Sequence, residues 1–168
     1  TFYTPDSVYF DLIAPTEEEE NSVTVHGIVH DPLARMIGGI SGNAGLFSNA
    51  DDLSIFARML IGKGKWKDAR IFSPLTVEAM TTIDPRFENI RRTPGWDSGT
   101  GYFSQRGDIF SFHSYGHTGF TGTSLFIDKE TDVFIIFLSN RNHPDDSGDV
   151  LRLRGIIANI TAAALIHP

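Results

Sequence analysis

Residues 123–140 read "TSLFIDKETDVFIIFLSN", two runs rich in β-branched and aromatic residues on either side of the polar tetrad "KETD". Such runs suit a pleated, half-buried surface, and the polar break predicts a tight turn, so an antiparallel strand pair is expected here. The second run is almost continuously apolar from Val133 to Leu138, which predicts a strand covered on both faces.

The rest of the chain is read for what covers that strand. In "FSNADDLSIFARMLIGKGKW", Ser48 and Asp51 have the spacing of a capping box, and Leu53, Phe56, Met59 and Leu60 recur at helical spacing before Gly62. "FSPLTVEAMTT" repeats the pattern, with Ser73 as N-cap, Pro74 at the first helical position and Leu75 and Met80 on one side. The glycine-rich, aromatic segment from Arg86 to Ser114 suits one or two strands with tight turns. "VLRLRGIIANITAAALIH" places Val150, Leu153, Ile156, Ile157, Ile160 and Ala164 along one helical stripe, and this helix is expected to lie across the sheet. The expected fold class is α+β, an antiparallel sheet flanked by helices. One domain is expected, with an irregular arm over 1–47, helices over 48–83, strands over 95–140 and a closing helix over 148–166.

A chain of 168 residues, 40% hydrophobic, is long enough for one domain with a sizeable core and equally for a piece of a larger one. The start at Thr1 without a methionine favours a cut or processed chain. With 14 basic and 21 acidic residues the net charge is −7, so there is no electropositive footprint for nucleic acid or an anionic membrane. Arg86, Arg91 and Arg92 form the only basic cluster, read as solvated loop charge, and the four glutamates of "TEEEENS" as a solvated loop. No run approaches the length of a membrane span. The absence of cysteine excludes disulfides, a thiolate nucleophile and Cys-ligated metal.

His26 and His30 have the i, i+4 spacing of a helical metal pair, but "VTVHGIVH" reads as extended and lacks the glutamate of a metalloprotease helix. Neither a metal nor another cofactor is expected. The glycines of "GGISGNAGLFS" precede a helix as in an anion cradle, yet the Gly-Lys-Ser/Thr ending of a P-loop is missing; a tight turn is expected. No Gly-x-Ser-x-Gly elbow singles out a nucleophilic serine. In "GHTGFTG", His117, Thr118 and Gly119 combine a polar side chain, a hydroxyl and a glycine just before the hairpin. A substrate backbone can approach such a strand end, and the next amide, that of Phe120, is placed as an oxyanion donor.

"GHTGFTGTSLFIDKETDVFIIFLSNR" resembles the C-terminal strands of the serine β-lactamase and penicillin-binding-protein superfamily, in its class C β-lactamase-like branch. There a Lys-Thr-Gly or His-x-Gly triplet opens the strand lining the active site. "GGISGNAGLFSNADDLSIFARML" is similar to the turn and helix of the same branch, and the resemblance covers most of residues 31–142. "IAPTE" and "VHGIVHDPLARMIGGISGNAGLFS" further resemble domains that follow a glycoside hydrolase family 3 β-N-acetylglucosaminidase. The resemblance implies the C-terminal half of a β-lactamase/transpeptidase-like fold, acting as a serine acyl hydrolase. His117, Thr118 and Gly119 would then line the site, with Phe120 binding substrate through its backbone amide.

The family's nucleophile lies in Ser-x-x-Lys, and no serine here has that motif. Tyr9-Phe10-Asp11 is closest to the second, Tyr-x-Asn motif, but it lies among segments that follow that motif in the family, so no role is carried over. The chain alone is therefore expected to be inactive. Histidine in place of lysine holds a substrate carboxylate less firmly than a permanent ammonium, which favours esterase-like or peptidase-like chemistry over β-lactam recognition. The implied partners are the upstream half of the same domain and a small-molecule, peptide or cell-wall-derived substrate, with homo-oligomerisation through a bare sheet edge as an alternative. The implied location is extracytoplasmic and bacterial. A catalytically dead ligand-binding or scaffolding module beside a cell-wall glycosidase is the competing expectation.

Overall fold

The hairpin expected at residues 123–140 is present in the computed structural model, which describes residues 1–19, 22–99 and 105–165. Contacts divide the chain into two units. One comprises Thr1–Asp52, Phe120–Thr123 and Leu138–Asp149; the other comprises Leu53–Gly119, Ser124–Phe137 and the chain from Val150 onward.

The elements of the first unit are β1 (Phe2–Tyr3), β2 (Glu17–Glu19), β3 (Val23–Val25), α1 (Pro32–Met36), β4 (Leu46–Phe47) and the start of α2 (Ala50–Ile61), with a 3-10 turn over Ser7–Leu12. β1 pairs with β4 and β2 with β3, both antiparallel, so the segment expected as an irregular arm carries two short ladders. Glu17–Glu19 of the glutamate run form a strand rather than a loop: Glu17 lies against His30 at 3.1 Å and Glu19 against Arg35 at 2.9 Å. The turn expected in "GGISGNAGLFS" closes tightly. Gly45 has φ +104°, and a Cβ there would run into the carbonyl of Gly39, so only glycine fits.

Asn49, one residue after the expected Ser48, caps α2, its Oδ1 accepting from the Asp52 amide at 2.8 Å. Asparagine ranks with serine as an N-cap, so the backbone path into the helix decided between two adjacent candidates. Asn49→Ala is expected to cost about 1 kcal/mol in urea denaturation, and Ser48→Ala only a few tenths.

The second unit contains β5 (Lys65–Trp66), β6 (Ala69–Arg70), α3 (Pro74–Thr81), β7 (Arg92–Thr93), β8 (Trp96–Asp97), β9 (Tyr115–Thr118), β10 (Ser124–Asp128), β11 (Val133–Phe137) and α4 (Leu151–Ala163). β7 to β11 form a five-stranded sheet in the order β11-β10-β9-β8-β7, with every pair antiparallel. Tyr115 stands opposite Ile127, and Ile127 opposite Phe134, so the three share one face. That face packs with Ala57, Met59 and Leu60 of α2 and Val77 of α3. The other face, through Val133 and Ile135, packs with Ala158 and Ala162 of α4. The α+β class, an antiparallel sheet flanked by helices, holds.

Three local expectations are corrected. Val77 and Thr81 of α3 are buried, whereas Leu75 is exposed. On α4 the buried line is Arg154, Ala158 and Ala162, while Leu153, Ile156 and Ile160 face outward. The residues of β11 are only half-buried, because β11 is an edge of the sheet and pairs, among the described residues, with β10 alone. In each case the apolar stripe is present in the sequence, but which stripe is covered depends on what packs there.

Asp128 ends β10 and is 2% exposed. Burial pushes its carboxyl up, but hydrogen bonds from Ser111 Oγ at 2.5 Å, the Ser111 amide at 3.0 Å and the Glu130 amide at 3.0 Å outweigh this and hold it below the ordinary carboxylate range. A lowered folded value stabilises the fold above the unfolded value, about 3.9, and that contribution disappears as pH falls through the folded value. The stability gap between the wild type and Asp128→Asn is therefore expected to be wide at pH 7 and to shrink below about pH 4. Urea midpoints of both proteins across that range check it.

Candidate functional site at the end of β9

Alternation along β9 places Tyr115 and His117 on one face and Gly116 and Thr118 on the other. His117 stands opposite Leu125 and is exposed, so the buried face of the sheet ends in an imidazole at the strand mouth. His117 Nδ1 lies 2.9 Å from the Thr118 carbonyl oxygen. A carbonyl only accepts, so Nδ1 carries the hydrogen in this contact. Thr118 is half-buried and pairs with Ser124 of β10.

Gly119 follows, and its carbonyl accepts from Arg154 Nη2 at 3.2 Å. Arg154 is 4% exposed, and its Nη1 donates to Gln105 Oε1 at 2.5 Å.

In the other unit, the Phe120 carbonyl accepts from Arg141 Nε at 2.7 Å, and the Arg141 guanidinium lies 4.5 Å from the centre of the Phe120 ring. His30 stacks on the same ring at 5.5 Å. Arg141 is itself held by Asp146 at 2.9 Å, and its amide donates to the Thr121 carbonyl at 2.9 Å. Among the described residues, no acceptor is paired with the Phe120 amide.

His117, Thr118 and Gly119 thus lie at the end of β9 in one unit and Phe120 begins a segment of the other; Arg154 on the Gly119 carbonyl and, separately, Arg141 on the Phe120 carbonyl are what the sequence reading missed. Arg154 left a signal: it lies on one helical face with Ala158 and Ala162, so a long cation has small neighbours. Arg141 left none beyond its place shortly after the last strand.

His26 and His30 do not converge. His26 Nε2 is 2.7 Å from the Ile13 carbonyl oxygen, whereas His30 faces Glu17. Among the described residues no group of three His, Asp or Glu side chains is arranged to hold a metal ion. No helix among the described residues is long and apolar enough to cross a membrane.

The sequence profile of the Beta-lactamase family matches residues 8–159. The chain is 38% identical over 124 residues to an "N-acetylmuramyl-L-alanine amidase" of Bacillus subtilis (strain 168), covering 71% of this chain and 27% of that protein. It is also 38% identical over 124 residues to a "Putative D-alanyl-D-alanine carboxypeptidase" of Escherichia coli (strain K12), covering 71% of this chain and 28% of that one. A protein of the same name, "Putative D-alanyl-D-alanine carboxypeptidase", from Escherichia coli O157:H7 is 39% identical over 121 residues, 70% of this chain and 27% of that protein. The chain therefore spans about a quarter of the length of these curated relatives. With the family profile extending over nearly all its elements and the triplet standing at the mouth of a central strand, the chain belongs to the Beta-lactamase family.

Proposed function

We propose that these residues form the C-terminal part of a serine acyl hydrolase domain whose nucleophile lies outside them, and that they are inert alone. The observation that carries this is the Phe120 amide, which has no acceptor among the described residues and directly follows His117-Thr118-Gly119 at the end of β9. In the proposed reaction a serine oxygen from the missing segment attacks the acyl carbonyl, and its proton passes to a base of that segment. The carbonyl oxygen becomes an oxyanion that accepts from the Phe120 amide. The acyl–nitrogen or acyl–oxygen bond then breaks, the leaving group takes a proton, and water releases the acyl group by the same route.

Two features support an absent upstream half. The outer edge of β11 has no partner strand among the described residues, and Leu153, Ile156 and Ile160 of α4 form an exposed apolar stripe. A strand and a helix from upstream would cover them; a second copy of the chain joined at β11 is the alternative occupant, read as a doubled mass in light scattering.

The relative named as a putative D-alanyl-D-alanine carboxypeptidase supports cell-wall-derived peptides ending in alanine as the substrate class, and both named relatives support an extracytoplasmic bacterial location. Histidine at position 117 holds a substrate carboxylate less firmly than a permanent ammonium, which favours amide or ester cleavage over β-lactam recognition, so weak β-lactamase activity is expected even from the longer protein. Intact mass after exposure to a fluorophosphonate probe tests the proposal on this chain and on the protein extended upstream. Labelling of only the longer protein is the expected result. Labelling of neither would shift the assignment to a catalytically dead ligand-binding or scaffolding module.

A further inference from the structure

We propose that Arg154 is a positioning residue for the oxyanion-donating peptide, an inference that rests on the acyl-hydrolase reading above. The Gly119–Phe120 bond is trans, so the Gly119 carbonyl and the Phe120 amide point in opposite directions from one rigid plane. Arg154 Nη2 holds the carbonyl end at 3.2 Å. Whatever fixes that oxygen also aims the amide hydrogen the other way.

Glycine makes such a hold necessary. With no Cβ on residue 119, the plane between Gly119 and Phe120 has little steric resistance to rotation. In an oxyanion hole a rotated peptide presents its carbonyl oxygen to the developing negative charge instead of its hydrogen, which turns attraction into repulsion. A guanidinium on the carbonyl blocks that rotation. It also polarises the amide, since hydrogen bonds through one peptide group strengthen each other in a low-dielectric setting, and a cation does so more than a neutral donor.

The burial of Arg154 fits this role better than simple packing. Its face of α4 otherwise carries Ala158 and Ala162, and a guanidinium at 4% exposure is desolvated at a cost that an apolar side chain would not incur. Gln105 anchors the other end of the fork at 2.5 Å, so the guanidinium plane is set before it reaches Gly119. The contact joins residues 35 apart in the chain, from the closing helix to the end of the central strand.

The test uses the longer, fluorophosphonate-reactive protein with Arg154→Lys and Arg154→Met, an ester substrate, and a boronate that becomes tetrahedral on the nucleophile. Expected is a fall in kcat of about tenfold to a hundredfold for Arg154→Met, less than the loss on deleting a donor outright. KM should change by less than about twofold, and boronate affinity should fall in step with kcat/KM. Arg154→Lys should recover part of the loss. On the 168-residue chain, the ¹⁵N shift of the Phe120 amide should move in both variants, and a through-hydrogen-bond coupling between Arg154 Nη and the Gly119 carbonyl carbon should be present in the wild type. The proposal is overturned if a folded variant keeps wild-type kcat and boronate affinity, or if its losses only track a lowered melting temperature. If the longer wild-type protein fails to react with the probe, the acyl-hydrolase reading fails. The amide shift then decides Arg154 separately, and an unmoved Phe120 resonance overturns its positioning role.

Discussion

Ile127→Ala is expected to lower the unfolding free energy by about 4 kcal/mol, seen in urea as an earlier midpoint with an unchanged slope. Ile127 is fully buried, one residue before the end of β10, with β9 paired on one side and β11 on the other. Its side chain packs in the cluster that joins Tyr115, Trp96, Leu60 and Val77. Two hydrogen-bonded neighbours hold its backbone and helix side chains cover its face, so little can move in to fill the space left by the missing carbons. That is the condition under which large-to-small changes cost most. Ile160→Ala is the control: the same side chain at 65% exposure should cost less than about 0.5 kcal/mol. Equal losses at the two positions would mean that the sheet face against α2 and α3 is not the core.

Gly116→Val is expected to cost at least about 3 kcal/mol and to disrupt the end of β9 with it. Gly116 pairs with Phe126 on one side and Asp97 on the other, so its strand cannot shift outward. A Cβ there would collide with the Leu125 carbonyl oxygen and the Phe126 ring, and would lie 2.9 Å from Phe126 Cα. The ring can rotate away, but the two backbone atoms cannot move without breaking the β9–β10 ladder. Any adjustment of β9 is passed directly to His117, the next residue. Gly116→Ala should already show part of the effect. A Gly116→Val protein with wild-type stability would contradict the β9–β10 register.

The opening hairpin was legible because its information is local. β-branched and aromatic runs broken by "KETD" leave one arrangement that buries the alternating side chains, and the observed register from Ser124–Phe137 to Asp128–Val133 is that arrangement. The position of α3 was legible for the same reason, through the cap and proline of its first turn, and that of α2 through the helical spacing of its apolar residues, although its cap is Asn49 and not Ser48. The triplet His117-Thr118-Gly119 was legible as a strand end, although its chemistry came from resemblance and not from spacing.

The errors share a cause. α4 carries an apolar stripe at helical spacing, yet the stripe that faces the sheet is Arg154-Ala158-Ala162. Small residues let the helix approach closely, and a single arginine has distant partners to satisfy it, so the covered face is the less apolar one. α3 turns Val77 and Thr81 inward instead of Leu75, because the position of the sheet, not the strength of the stripe, sets the inward direction.

Local sequence thus determined the β10–β11 hairpin, the tight turns and where α2, α3 and α4 lie, since φ/ψ preference, capping and alternating burial act between residues a few positions apart. Tertiary structure alone settled which helix faces are covered, which strand lies at the sheet edge, and that Arg154 grips the Gly119 carbonyl. Those outcomes depend on groups tens of residues apart meeting in a low-dielectric interior. There the need to satisfy buried polar atoms outweighs the preferences of any one segment.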